Sequence, residues 1–207
     1  MGLLRSFFNN TRKPKGTLGR GMLASMNRGH AAVSDWGMGH LGGLAPQSIV
    51  ELGCGGGRNA HRLLEEYPEA HLVAVDYSEE SLAKTEQVNR VFVAEGRCTL
   101  VEANVSGLPL EDDSFDLATA FETVYFWPGP MESFREVRRI LRDSGTFLVV
   151  NESDGTNETD ERWTGIIDDL HTYTEEQLCA HLAEAGFSRV EVDHDQRRHW
   201  LCLLARK

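Results

Sequence analysis

The chain has 207 residues, 32 of them acidic against 21 basic, for a formal net charge of -11. That length suits one domain burying about 70% of its unfolded surface, and the negative field argues against nucleic acid or an anionic membrane as partner. No run approaches the ~18 apolar residues of a membrane-spanning helix. Cys54, Cys98, Cys179 and Cys202 stand singly at wide spacing, so neither a zinc site nor a disulfide framework is expected, and a reduced, cytoplasmic setting fits.

Arg5, Arg12, Lys13, Lys15, Arg20 and Arg28 come before any acidic residue, a composition shared with transit peptides. The stretch Met1-Gly2-Leu3-Leu4-Arg5-Ser6 also matches the short and common myristoylation pattern. Against both, Leu18, Met22, Met26 and His30 recur every four residues, which marks one face of a helix. Residues 1–40 are therefore read as a helical cap on a domain spanning 41–207.

Ser48–Leu52 is expected as the first strand, followed by a helix over Asn59–Tyr67 with Ala60, Leu63, Leu64 and Tyr67 on its apolar face and Pro68 stopping it. A second strand, His71–Val75, leads to a helix capped by Ser78 and running to about Asn89. Arg97–Glu102 and Phe115–Ala120 read as strands three and four. Pro130 suits a first helical turn, and Met131, Phe134, Val137 and Leu141 make the stripe of a helix expected to end near Gly145, before a strand over Thr146–Val150. The polar stretch around Trp163, Ile166, Ile167 and Leu170 is read as one helix. Thr174 to Gln177 is a capping box, its helix ending at Gly186, and Ser188–Val192 and Trp200–Ala205 close the chain. Strands alternating with helices imply an α/β fold with a doubly wound, mostly parallel sheet. The short link between the last two strands requires them to pair antiparallel.

Between the first strand and its helix lies Glu51-Leu52-Gly53-Cys54-Gly55-Gly56-Gly57. Glycines at a strand-to-helix turn let the backbone take positive φ and let a ligand lie directly against it, facing helix N–H groups. A dinucleotide fingerprint needs a small residue five positions after the first glycine, and here that position is Arg58. Glu51 would repel a pyrophosphate and attract an ammonium or sulfonium. Asp76, about 20 residues past the turn, can accept from both hydroxyls of a ribose, which NAD and S-adenosylmethionine both carry.

The acidic-x-Gly-x-Gly-x-Gly run, with an acidic residue closing the second strand, resembles the class I S-adenosylmethionine-dependent methyltransferases. That resemblance implies a Rossmann-like sheet of seven strands, the last reversed, with S-adenosyl-L-methionine as cofactor. It implies cofactor contacts from Glu51, Gly53, Gly55, Gly57, Asp76, Tyr77 and Phe121. It also places Asn104 where the family usually has an aspartate for the adenine amino group, and Val105 beside the ring through its N–H. Ligands in open α/β sheets bind beyond the carboxyl ends of strands, so Phe121-Glu122-Thr123-Val124-Tyr125-Phe126-Trp127 is expected between cofactor and acceptor. Glu122 and Tyr125 are the candidate catalytic groups, with Met26, His30, Trp127, Glu152 and Tyr173 around the acceptor. No metal-ligand motif is present. A small-molecule acceptor is expected, and an NAD-dependent oxidoreductase or a non-catalytic S-adenosylmethionine-binding protein are the competing readings.

Overall fold

The computed structural model describes residues 28–157 and 170–207. Leu18, Met22, Met26, Trp163, Ile166 and Ile167 lie outside the described residues. Seven strands form one sheet: β1 (Ser48–Leu52), β2 (His71–Asp76), β3 (Cys98–Glu102), β4 (Phe115–Phe121), β5 (Leu141–Asn151), β6 (Arg189–Asp195) and β7 (Trp200–Arg206). Their order is β3-β2-β1-β4-β5-β7-β6, with β7 antiparallel to both of its neighbours and the other pairs parallel. The order reverses between β1 and β4, the position at which open α/β sheets leave a crevice for a ligand.

Helices α1 (Ala31–Met38), α2 (Arg58–Glu66), α3 (Glu79–Val88), α4 (Arg90–Ala94), α5 (Pro130–Ile140) and α6 (Glu175–Glu184) cover the two faces. The side-chain alternation of a strand divides the core between them. Ile49 of β1 packs with Val33 of α1 and with Ala60, Leu63 and Leu64 of α2. Val50 and Leu52 face the opposite way, toward Phe134, Val137 and Ile140 of α5 and Leu178 and Leu182 of α6. The stripes legible in the sequence are thus the buried faces.

Most boundaries fall within a residue or two of the sequence-based expectation, β6 runs on to Asp195 instead of ending at Val192, and the differences around β3 and β5 have a clear physical reason. The helix expected to reach Gly145 ends at Ile140, because Leu141 turns extended and pairs with Phe115. The register then shifts before Thr146 resumes opposite Leu117, so β5 begins five residues earlier than Thr146. Strand three starts at Cys98 rather than Arg97, whose guanidinium donates to the carbonyls of Leu64, Tyr67 and Ala70 at 3.0, 2.9 and 3.2 Å. A cation there satisfies the Leu64 carbonyl in the last turn of α2 and the Tyr67 and Ala70 carbonyls just beyond it, and it matches the sign of the helix dipole. Helix α4, too short to show an apolar period, was not anticipated. At α6 the expected box is present: Thr174 accepts from the Gln177 N–H while the Gln177 side chain accepts from the Thr174 N–H.

The β6–β7 hairpin is tied to the end of β5 by one carboxylate. Asp154, 3% exposed, accepts from His194 Nε2 at 2.8 Å and His199 Nδ1 at 2.9 Å through one oxygen, and from the Thr156 N–H and hydroxyl through the other. Burial alone would raise its pKa, but the bonds from Thr156, His194 and His199 outweigh that and hold it at about 2, below the usual 3.8. That difference corresponds to about 2 kcal/mol of stability, complete above pH ~4 and lost as pH falls through about 2. Asp154→Ala should therefore cost about 2–3 kcal/mol at pH 7 and flatten the acid limb of stability below pH 4, as read by urea unfolding across pH. An unchanged acid limb would remove this carboxylate as its source.

Candidate active site

The turn from β1 into α2 is closed by the N–H groups of Gly53 and Cys54, which both donate to the Val75 carbonyl at 2.8 and 3.0 Å. Gly53 takes φ +82° and Gly57 φ +76°. A Cβ on Gly53 would collide with the Thr123 methyl, and one on Gly57 would lie 2.6 Å from the Thr85 Cα. Both conformation and space therefore demand glycine there. Gly55 differs, since a Cβ would meet nothing nearer than the Gly53 carbonyl at 4.0 Å. Its open side faces a cavity.

That cavity, of about 240 Å³, opens at the carboxyl ends of β1, β2 and β4 and is lined by Gly53, Gly55, Asp76, Tyr77, Asn104, Val105, Phe121, Glu122, Trp127 and His30 among others. Asp76 is fixed at its floor, one oxygen accepting from the Gly55 N–H and the other from the Ser78 N–H, each at 3.0 Å. Burial raises its pKa, and these bonds oppose the shift. Asn104 is also in the wall, but its side-chain oxygen accepts from the Ser106 N–H at 3.1 Å and hydroxyl at 3.0 Å. The side chain thereby braces its own turn as well as facing the cavity.

Glu51 lies under the turn rather than in the cavity wall. It is 1% exposed, accepts from the Ala60 N–H, and has one carboxylate oxygen with no hydrogen-bond partner among the described residues. Burial pushes its pKa well above the carboxylate range, and nearby Asp76 adds to this. A positive charge in the cavity would relieve both groups.

The opposite wall comes from the end of β4. Glu122 has φ +60°, its N–H donates to the Val150 carbonyl, and its carboxylate accepts from the Glu152 N–H. Burial first, then the neighbouring Glu152 carboxylate, push its pKa well above the usual range. His30, immediately before α1, places Nε2 3.5 Å from Glu152. Burial lowers its pKa, against the opposing pull of Glu152. Glu152 is half-exposed and stands at the rim. Trp127 reaches the cavity with the rest of its ring stacked on Phe147.

Of the expected acceptor-side residues, Glu152 stands outside the cavity lining at its rim, and Tyr125 and Tyr173 do not line it either. The Tyr125 hydroxyl accepts from the Ser153 N–H at 2.9 Å and its carbonyl from the His171 N–H at 3.0 Å, so it holds the 152–153 loop behind Glu122. Phe126, next in sequence, faces the cavity instead. Tyr173 packs edge-on against His181 of α6. Met26 lies outside the described residues.

Sequence reasoning missed Ser34, Cys54, Ser81, Thr123 and Arg58 as lining residues. Arg58 pairs with Asp35 of α1 at 2.7 Å, and its position right after the glycines could have signalled this. Ser34 reaches the site only because α1 docks on β5, where Gly37 leaves room for Val150, and no local pattern carries that information. Cys54 sits buried in the turn, accepting from the Thr85 hydroxyl at 3.3 Å. Burial, then Asp76 and Glu51, push its thiol well above the ordinary range.

A family model described as a methyltransferase domain matches residues 50–149. The malonyl-(acyl-carrier protein) O-methyltransferase of Geobacter sulfurreducens is 32% identical over 165 residues, 74% of this chain and 61% of that protein. The chain spans less than two thirds of the length of this relative, and about 31% of the cycloartenol-C-24-methyltransferase 1 of Oryza sativa, to which it is 27% identical over 53% of its own length. Among solved structures, phosphoethanolamine N-methyltransferase 2 of Haemonchus contortus, in complex with phosphomonomethylethanolamine and S-adenosylhomocysteine, superposes with a TM-score of 0.79 at 15% identity, covering 99% of this chain and 60% of that one. A SAM-dependent methyltransferase from Aquifex aeolicus gives 0.74 at 14% identity over 90% and 97%. At these identities the structural likeness is one of fold. The chain is thus similar to methyltransferases across residues 50–149, and its sheet, with the glycine turn after β1, Asp76 at the tip of β2 and the antiparallel β7, has the Rossmann-like methyltransferase fold.

Proposed function

We propose that this chain transfers the methyl group of S-adenosyl-L-methionine to a small-molecule acceptor seated between Glu122, His30 and Trp127. The observation that carries the reading is a single cavity running from Asp76 and the glycine turn at one end to Glu122 and Trp127 at the other. Cofactor and acceptor would share it. When bound, S-adenosylmethionine supplies an activated methyl on a sulfonium.

The chain's residues fit that cofactor in two independent ways. Asp76 offers carboxylate lone pairs to a ribose at the floor, and the unpartnered Glu51 oxygen, with Asp76 and Glu122, makes the cavity favourable to a cation. Phe121 and Val105 supply apolar wall, while Asn104 and the Val105 N–H are proposed to meet the adenine edge. On the acceptor side Glu122 is proposed to position rather than deprotonate, with Tyr125 and Glu152 holding it and Tyr173 outside the cavity. Holding two reactants in line can contribute about 7–11 kcal/mol without a catalytic side chain.

Of the competing readings, an NAD-dependent oxidoreductase is disfavoured because Arg58, committed to Asp35, occupies the position where a dinucleotide turn packs a small residue. A non-catalytic S-adenosylmethionine-binding protein would need no cavity beyond the cofactor, and here it continues to Glu122 and Trp127. A cytoplasmic location is part of the proposal: all four cysteines are unbridged, and among the described residues no helix is long and apolar enough to cross a membrane.

Asp76→Ala should weaken S-adenosylmethionine binding by about 2–4 kcal/mol, since charge-assisted bonds contribute about 1.5–3 kcal/mol each and a ribose donor is left bare. Asp76→Asn keeps an acceptor for the Gly55 N–H and should fall between. Calorimetry giving equal affinity for all three proteins would refute the ribose assignment. At Asn104, aspartate should hold or tighten binding because it preserves both the Ser106 bonds and an acceptor, whereas leucine should weaken it by about 1–3 kcal/mol. If the leucine variant binds like the parent, the adenine lies elsewhere.

A further inference from the structure

Two carboxylates and an imidazole converge at the acceptor end of the cavity. His30, Glu122 and Glu152 each bring one donor atom, and all three atoms lie within 4.8 Å of one another. They come from three separate places in the fold: the turn before α1, the residue after β4 and the residue after β5. Neither carboxylate forms an ion pair with a lysine or arginine among the described residues. Among the described residues Glu152 pairs with His30, and Glu122 accepts from the Glu152 N–H. Among the described residues the fold therefore holds two acids side by side with an imidazole and no lysine or arginine paired to them.

We infer that His30, Glu122 and Glu152 form a binding site for a divalent metal ion, which would hold an oxygen of the methyl acceptor beside the cofactor. Two donors on one ion can stand no farther apart than about twice a 2.0–2.2 Å bond, roughly 4.2 Å. The 3.5 Å between His30 and Glu152 already matches the ~3.4 Å that two such bonds span at a tetrahedral angle, and with all three donors within 4.8 Å, closing the third corner takes side-chain movement of at most about 1.5 Å. Carboxylates with imidazole suit a borderline ion such as zinc, manganese or iron(II). Three protein donors leave coordination positions open, the arrangement of a catalytic rather than a closed structural site. Glu152 at the rim gives the ion a way in from solvent. Tyr125 would act as a positioning residue, since its hydroxyl fixes the Ser153 N–H next to Glu152.

The site rests on the methyl-transfer reading for its purpose and specifies the acceptor class: an oxygen acceptor able to bind metal, such as a hydroxyl flanked by a second oxygen. A cation there lowers the pKa of a bound hydroxyl. The hydroxyl proton passes to water, an oxygen lone pair forms the new O–CH3 bond, and the electron pair of the broken C–S bond returns to sulfur, leaving a neutral thioether.

The test uses the full chain, free of any affinity tag and stripped with chelator, titrated with Co²⁺, Zn²⁺ and Mn²⁺. Calorimetry and the visible spectrum of Co²⁺ should report one ion per chain, and the double variant Glu122→Gln/Glu152→Gln should weaken it at least about 100-fold, with His30→Gln altering the Co²⁺ spectrum. A parallel S-adenosylmethionine titration of the metal-free parent tests the cofactor reading separately, so either can fail alone. The metal proposal is overturned if no saturable one-to-one binding appears, if the variants bind like the parent, or if the parent ignores the metals and binds methylammonium instead, which would assign the cluster to an amine acceptor.

Discussion

Everything at the site depends on how closely β1, α3 and the end of β4 approach the glycine turn. Thr123 and Thr85 stand where side chains on Gly53 and Gly57 would be, so the turn is clamped from two sides by neighbouring elements. Clamping points the N–H groups of the turn at Val75 and Asp76 instead of solvent. The cavity floor is consequently rigid before any ligand arrives, and the cost of ordering it is met in folding rather than in binding.

The same packing concentrates acid. Glu51, Asp76 and Glu122 all lie at the carboxyl ends of parallel strands, and burial pushes each pKa upward. Buried carboxylates without fixed counter-charges are costly to the fold. Such an arrangement would be stabilised by a cation, which the sulfonium of the proposed cofactor would supply. Selectivity for a positively charged ligand over a pyrophosphate follows from the same three residues.

Much of this was legible from local pattern. The strand–glycine–helix run, Asp76 at the strand tip, Ser78 and Thr174 as caps and the apolar stripes of α2 and α5 are all encoded within about ten neighbouring residues, where helix and strand periods operate. What was not legible depends on contacts between distant segments. Leu141 continues the stripe of α5 by spacing, yet its pairing with Phe115 makes it strand. Tyr125 and Phe126 are adjacent aromatics, and which one meets the cavity was settled by whether a hydroxyl could reach the Ser153 N–H. His30 was singled out from helical spacing alone; its nearness to Glu122 and Glu152 exists only because α1 lies across β5.

Cys54 lines the cavity yet carries a thiol whose pKa is raised by burial and by two carboxylates beside it. Only the thiolate reacts readily with peroxides, electrophiles or other thiols. The residue can therefore sit against the ligand as a small apolar surface without becoming a point of chemical attack. The acids that would attract a sulfonium also favour the protonated Cys54 thiol, a poor nucleophile toward an activated methyl group. Self-alkylation of the site would be disfavoured by the same electrostatics that would favour a sulfonium cofactor.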